Sequence, residues 1–212
     1  MKKIVISLTM IVLGLLIAVI GCGKNPYVSS LKGGVFVPLE FPFKTPANIQ
    51  HMTAFGVPNW SGTEPHNGID LVVYDSLTNV KIIAPCAGLI KVDIKRNPYS
   101  TPPDLLLLTV NVQINSEWTV GLIFEPMTDS KLVENNQISA IKVKDGDFVK
   151  AGDEIGDLLV GNKGYVHLHY MVTRNQDAVC AYANSSAGAK QIFEQIAATR
   201  SNNNLPNGNI CY

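Results

Sequence analysis

The run His66-Asn67-Gly68-Ile69-Asp70, set against His167-Leu168-His169 far downstream, constrains this chain more than any other feature. The sequence has four histidines, and three of them fall in these two short motifs. Imidazoles and carboxylates are metal ligands; zinc takes a few nitrogen and oxygen donors held on rigid elements, and a catalytic site keeps one position open for water. Three of these side chains can make such a set. In a fully extended strand, His66 and Asp70 would stand roughly 13 Å apart at Cα, too far to share one ion. The chain is therefore expected to fold back at Asn67-Gly68, where glycine permits unusual backbone angles. His167 and His169 are two apart, so on a strand both rings leave one face and Leu168 leaves the other. One imidazole can then bind the metal while its neighbour stands beside it.

In these residues the sequence resembles the lysostaphin-like zinc endopeptidases, which cut peptide bonds in bacterial cell-wall peptidoglycan. The family pattern is H-x-G-x-D, a later Y-x-H-L stretch, a G-D-x-V-x-x-G-x-x-I-G segment and a closing G-x-x-H-L-H-[FY]. Much of it stands here in order. Ala54-Phe55-Gly56 is similar to the strand before the first motif, and Ile83-Ala84-Pro85-Cys86-Ala87-Gly88 to the A-P-x-x-G turn. The segment from Lys144 to Gly156 and the run Gly164-Tyr165-Val166-His167-Leu168-His169-Tyr170 complete the series. The resemblance runs from about Phe55 to Val172.

The resemblance implies a Zn2+ site made by His66, Asp70 and His169, with His167 stabilising the developing oxyanion or donating a proton to the leaving amine. It implies the duplicated-hybrid-motif fold and a substrate groove to which Trp60 and Tyr170 contribute. One departure stands out. Where the family has its Y-x-H-L histidine, this chain reads Leu122-Ile123-Phe124-Glu125-Pro126, so Glu125 takes the place of a residue that helps position or deprotonate water. Carboxylates do that work in other zinc peptidases, although the charge is opposite to that of an imidazolium. The expectation is therefore a zinc metalloendopeptidase acting on peptidoglycan. The alternative is a catalytically weak or inactive zinc-binding envelope lipoprotein that binds the wall or regulates its enzymes.

The chain opens with a targeting pattern. Lys2 and Lys3 precede the mostly apolar run Ile4 to Ile20, followed by Gly21-Cys22. A short charged-then-apolar start reads as a secretory signal before it reads as a membrane span, and the small residue before Cys22 resembles a bacterial lipobox, in which the cysteine is lipidated. An uncleaved anchor is the other reading, since the run is near the ~17-residue lower limit for spanning. Either way the domain is expected outside the cytoplasm, lipid-anchored through Cys22 in the first case, and at the outer membrane if the cell has one. The organisation read from this is a signal at 1–21, a tether at 22–34, an N-terminal extension at 35–54, a peptidase-like domain at 55–175, and a helix with a tied tail at 176–212.

Seventeen basic and seventeen acidic residues cancel to a formal charge of zero, which gives no support to a nucleic-acid partner; recognition must come from a groove. Of the four cysteines, Cys22 belongs to the lipobox and Cys86 to an apolar turn suited to a buried free thiol. Cys180 and Cys211 remain and can pair in an oxidising compartment, closing a loop worth roughly 3–4 kcal/mol in the chain-entropy model; Cys86 taking one of them is the other arrangement.

Closely spaced strands without long helices predict a mainly antiparallel β domain, a sheet or sandwich-like barrel with one clear C-terminal helix. Strands are read at Asp70–Tyr74, Val80–Ile83, Gly88–Ile94, Leu105–Ile114 and Glu117–Phe124, the last two joined by a turn at Asn115-Ser116. Val35–Leu39 reads as an edge strand and Phe41-Pro42-Phe43 as a loop; residues 35–46 are also candidates for a cover over the groove. The insert Tyr99–Pro103 reads as a loop, Met127–Ile138 as a short helix or lid, and Ser139–Ile155 as a hairpin-like pair. That hairpin resembles half of a biotinyl or lipoyl carrier domain, but no exposed carrier lysine sits at its tip. Ile192, Phe193 and Ile196 fall at helical spacing within Ser186–Thr199.

Overall fold

β-Branched and aromatic runs broken by Asn, Gly and Pro leave this sequence few options beyond short strands, and the computed structural model, which describes residues 36–58, 64–97 and 104–212, is mainly β. Cys22 and everything before it, the tether, Trp60 and the insert Tyr99–Pro103 lie outside the described residues. The strands are β1 (Ile49–Thr53), β2 (Ile69–Val73), β3 (Asn79–Ile83), β4 (Gly88–Asn97), β5 (Leu105–Gln113), β6 (Trp118–Glu125), β7 (Phe148–Val149), β8 (Glu154–Leu159), β9 (His167–Arg174) and β10 (Asp177–Val179). Two α-helices accompany them, α1 (Lys131–Ser139) and α2 (Ala187–Thr199). An eight-stranded sheet runs β1-β2-β9-β6-β5-β4-β7 with β10 on β9, and β3 pairs with β8 in a second sheet. Every strand pairing is antiparallel.

Alternation decides which face is which. On β9, Leu168, Tyr170 and Val172 point into the core; in register beside them on β6 stand Phe124, Leu122 and Val120, and on β5 Leu108, Val110 and Val112. The other face of the same strands carries His167, His169, Ile123 and Glu125. One face is thus a packed apolar layer and the other holds the polar motifs, which fixes the register, because a one-residue slip would exchange them.

Helix α2 closes the core. Its cap is Ser186, whose hydroxyl accepts from the Ala189 N–H, and Ala189, Phe193 and Ile196 are buried at the i, i+4, i+7 spacing of one helix face. Phe193 packs edge-on against Phe41 at 4.9 Å between ring centroids and stacks on Tyr170 at 6.5 Å. Residues 36–43 are neither an edge strand nor a cover: Leu39, Phe41 and Phe43 are buried in the core, and Phe36 sits on Trp118. They occupy the sheet face opposite His169, where apolar side chains are worth more than in solvent.

The segment Ser139–Ile155 also departs from expectation. A single bridge joins Ile141 to Gly156, with Lys142 N–H donating to the Ile155 carbonyl at 2.9 Å, but residues 143–153 do not pair with one another as a hairpin. Instead β7 adds to β4 and β8 to β3. Two matching turns redirect the chain: in Lys144–Asp147 and Lys150–Asp153 the aspartate side chain accepts from the lysine N–H while its own N–H donates to the lysine carbonyl. Gly146 and Gly152 stand at φ +84° and +88°, the conformation a type II turn requires at its third position.

Helix α1 is tied down by polar groups. Gln137, fully buried, donates to the Asp157 carbonyl and accepts from the Leu159 N–H, both at 2.8 Å. Buried Glu134 receives both arms of Arg96 from β4, at 2.9 and 2.7 Å, and Lys131 at 3.0 Å. The Arg96 hydrogen bonds hold the Glu134 carboxyl below its ordinary value, against burial, with help from Lys131. A depressed carboxyl stabilises the fold above its unfolded pKa of 4.5 and loses that contribution as pH falls through the folded value. Because Arg96 is 41% exposed, screening limits the effect, and Glu134→Gln is expected to cost about 1 kcal/mol at pH 7. In urea melts the wild-type advantage should shrink steadily below pH 4.5; an advantage constant down to pH 2 would refute the assignment.

Candidate metal centre

His66 lies in the approach to β2 and is held by backbone on both sides: its N–H donates to the Val57 carbonyl at 2.7 Å and its own carbonyl accepts from Gly56 at 2.8 Å. Its ring Nδ1 faces the Ala54 carbonyl at 2.8 Å. A carbonyl only accepts, so the proton sits on Nδ1 and the lone pair of the neutral ring is on Nε2. That Nε2 is 3.1 Å from Asp70 Oδ1 and 3.2 Å from His169 Nδ1. Asp70 and His169 are direct cross-strand partners on β2 and β9, with His169 Nδ1 2.8 Å from Asp70 Oδ1.

Three donor atoms thus form a triangle with sides of 2.8–3.2 Å. Tetrahedral zinc with bonds near 2.0–2.2 Å separates its ligand atoms by about 3.3 Å, so the triangle has the right size. The donor chemistry also fits. With Nδ1 protonated, His66 Nε2 at 3.1 Å from Asp70 Oδ1 carries a second proton for that carboxylate in the metal-free site, as its raised pKa favours, and that proton is what a metal ion would displace. His66 already has the outer hydrogen bond that a ligating imidazole uses to fix its tautomer. Among the described residues, His66, Asp70 and His169 are the one such group of ligand-bearing side chains.

Burial sets the electrostatics. Asp70 and His169 are both buried. Burial alone would push the Asp70 carboxyl up, but the His167 charge and hydrogen bonds from His169 and His66 hold it well below the usual carboxylate range. For His66, burial pulls the imidazole down and Asp70 more than compensates, leaving it raised.

His167 stands beside this triangle. Its Nδ1–H donates to the Tyr165 carbonyl at 2.9 Å, and its Nε2 lies 3.4 Å from Glu125 Oε1 and 3.7 Å from Asp70 Oδ1. Both ring nitrogens face acceptors, which favours the imidazolium. Burial opposes that charge, but Glu125 and Asp70 overcome it and raise the pKa to about 10. Glu125 is the register partner of His167 on β6, so its carboxylate faces the centre and is not a solvated strand end.

No protein-family model matches the chain, and no curated protein matches it. Among solved structures it is similar to one assigned to peptidase M23 from Pseudomonas aeruginosa, at 21% identity and a TM-score of 0.44, covering 75% of this chain and 53% of that one. It is also similar to a zinc-containing peptidase from Vibrio cholerae, at 20% identity and a TM-score of 0.44, covering 68% of this chain and 39% of that one. The chain therefore spans about half, or less, of the length of these structures.

The site gathers His66, Asp70, His169, His167 and Glu125 on one face. Tyr170 belongs elsewhere: it is fully buried and stacked toward Phe193, because it follows His169 on a strand and must point to the opposite face. It lines no groove. Three further side chains edge the centre. On β1, the Thr53 hydroxyl is 3.0 Å from the Tyr165 hydroxyl, and the His51 ring is 5.6 Å from the Tyr165 ring. His51 Nδ1 is buried without a partner, and burial followed by the His167 charge lowers its pKa. The i, i+2 spacing of His51 and Thr53 is the signal that places them on a common strand face.

Gly68 works differently from the expectation of unusual backbone angles, since its φ is not positive. What it supplies is space: a Cβ there would sit 2.5 Å from His169 Nε2 and 2.7 Å from Cε1. Because that ring is buried, it cannot swing clear without moving its Nδ1. Gly68→Ala is therefore expected to weaken zinc binding about tenfold or more, at an overpacking cost of about 1–3 kcal/mol. Chelator competition on the folded variant checks this; unchanged affinity would show that the close contact does not set the ligand.

Proposed function

We propose that this protein is a zinc-dependent endopeptidase of the bacterial cell envelope, acting on peptide bonds of peptidoglycan. The observation that carries the reading is the convergence of His66 Nε2, Asp70 Oδ1 and His169 Nδ1 beside buried His167 and its half-buried partner Glu125. Two imidazoles and a carboxylate are the donor types of a hydrolytic zinc site. His66, Asp70 and His169 would hold the ion, which when bound would supply an activated water near neutral pH and a polarised carbonyl. His167, with Nε2 directed at the space beside Asp70, supplies an N–H to the oxygen that gains charge and a proton to the leaving nitrogen. Glu125 keeps His167 charged and oriented, and its carboxylate is the acceptor for the proton of the attacking water.

The peptidoglycan substrate is supported by the motif series from Ala54 to Tyr170, and the envelope location by the signal-like start and Cys22. The Cys180–Cys211 disulfide suits an oxidising compartment. The test is to purify residues 23–212, measure bound zinc by elemental analysis, and assay peptide release from purified peptidoglycan with His169→Ala as control. Zinc near one per chain, with release abolished in the variant, is the expected result. Zinc without release would favour a binding module, and absence of zinc would overturn the ligand set.

Glu125→Gln keeps the shape and removes the charge. It is expected to lower kcat by about 10²–10⁴-fold while bound zinc stays the same. Undiminished turnover would exclude Glu125 from proton transfer.

A further inference from the structure

The segment that holds His66 is itself held by the C-terminal tail. Met52 N–H donates to Asn203 Oδ1 at 2.9 Å. Asn204 N–H donates to the Met52 carbonyl at 2.9 Å, and Ala54 N–H to the Asn204 carbonyl at 3.0 Å. Phe55 N–H donates to the Ile210 carbonyl at 3.0 Å, and Tyr212 N–H to the Phe55 carbonyl at 2.8 Å. Residues 203–212 thus run alongside 52–56, with parallel bridges at Thr53–Asn204 and Phe55–Cys211. The fit is close at Gly56, at φ +83°, where a Cβ would fall 2.1 Å from the Tyr212 carbonyl oxygen. From the other side, the same short stretch takes all three hydrogen bonds that fix His66: Ala54 accepts from its ring, Gly56 donates to its carbonyl, and Val57 accepts from its N–H.

The disulfide completes the circuit. Cys211 is bonded to Cys180, which follows β10, and β10 pairs with the outer half of β9. His169 is on β9. The tail is therefore strapped at one end to the residue after β10, the neighbour of the strand that carries one ligand, and laid against the backbone that orients another. We infer that the disulfide-tied segment 203–212 is a positioning element of the metal centre, which sets metal affinity by fixing the Ala54 carbonyl and, through it, the His66 ring. Outer partners of ligating histidines typically govern affinity by 10–100-fold. The inference rests on the ligand set proposed above but not on the peptidase activity.

Coupling of this kind is reciprocal, so it can be read from both ends. In the mature oxidised protein and in Cys180→Ser/Cys211→Ser, zinc affinity is measured by competition with a chromogenic chelator, with far-UV circular dichroism as the check on folding. The expected result is a loss of about tenfold or more in the variant. In the intact protein, zinc should slow amide hydrogen exchange in peptides covering 52–58 and 203–212, and should not do so in His66→Ala. A folded variant whose affinity stays within about twofold of wild type overturns the inference. If the double variant does not fold, exchange in the intact chain decides: protection confined to 66–70 and 167–169 overturns it, and protection that reaches 203–212 upholds it. Failure of the wild type to take up zinc would bring down the ligand set itself, a different result from unaltered affinity.

Discussion

The antiparallel register of β2 on β9 is the constraint on which the rest depends. Asp70 opposite His169 brings a carboxylate and an imidazole from distant parts of the chain to 2.8 Å, and the same register buries Leu71 and Leu168 on the reverse face. The apolar layer and the metal triangle are therefore two readings of one pairing. A slip by one residue would turn the leucines toward the metal face and drive the ligands into the apolar layer, so hydrophobic burial polices the geometry of the centre.

The charge arrangement follows from that burial. Asp70 is the hub: His66, His169 and His167 all lie within 3.7 Å of Oδ1. A carboxylate this enclosed needs compensation, and the imidazoles supply it by hydrogen bond or by charge. Glu125 adds a second negative group, which approaches the same His167 Nε2 that faces Asp70. The chain's neutral total charge thus conceals a local arrangement in which cationic and anionic groups are interleaved along a single sheet face.

Much of this was legible in the sequence because it is local or periodic. The spacing of Ile192, Phe193 and Ile196 located α2 with its Ser186 cap. The Asn115 turn closes as a side-chain-to-backbone turn, its Oδ1 accepting from Glu117 and Trp118. The metal motifs announced themselves by residue type, and of the two cysteine arrangements that context left open the structure holds Cys180–Cys211 with Cys86 free. What failed was non-local. Nothing in Phe148-Val149 says that β4 is its partner, so Ser139–Ile155 read as a hairpin. The apolar residues of 36–43 revealed burial but not against what. Tyr170 could have been placed correctly by the same alternation that paired His167 with His169. Gly68 could not, since its role is the space it leaves to a ring about a hundred residues away.

The hydrogen bond between Met52 and Asn203 spans 151 residues of sequence. A contact of that range carries the entropy of closing a long loop, a cost that grows only slowly with length. The β2–β9 register is closed by residues up to 174, whereas the backbone that orients His66 is held in addition by residues 203–212, so the metal centre draws on contacts from nearly the whole described chain.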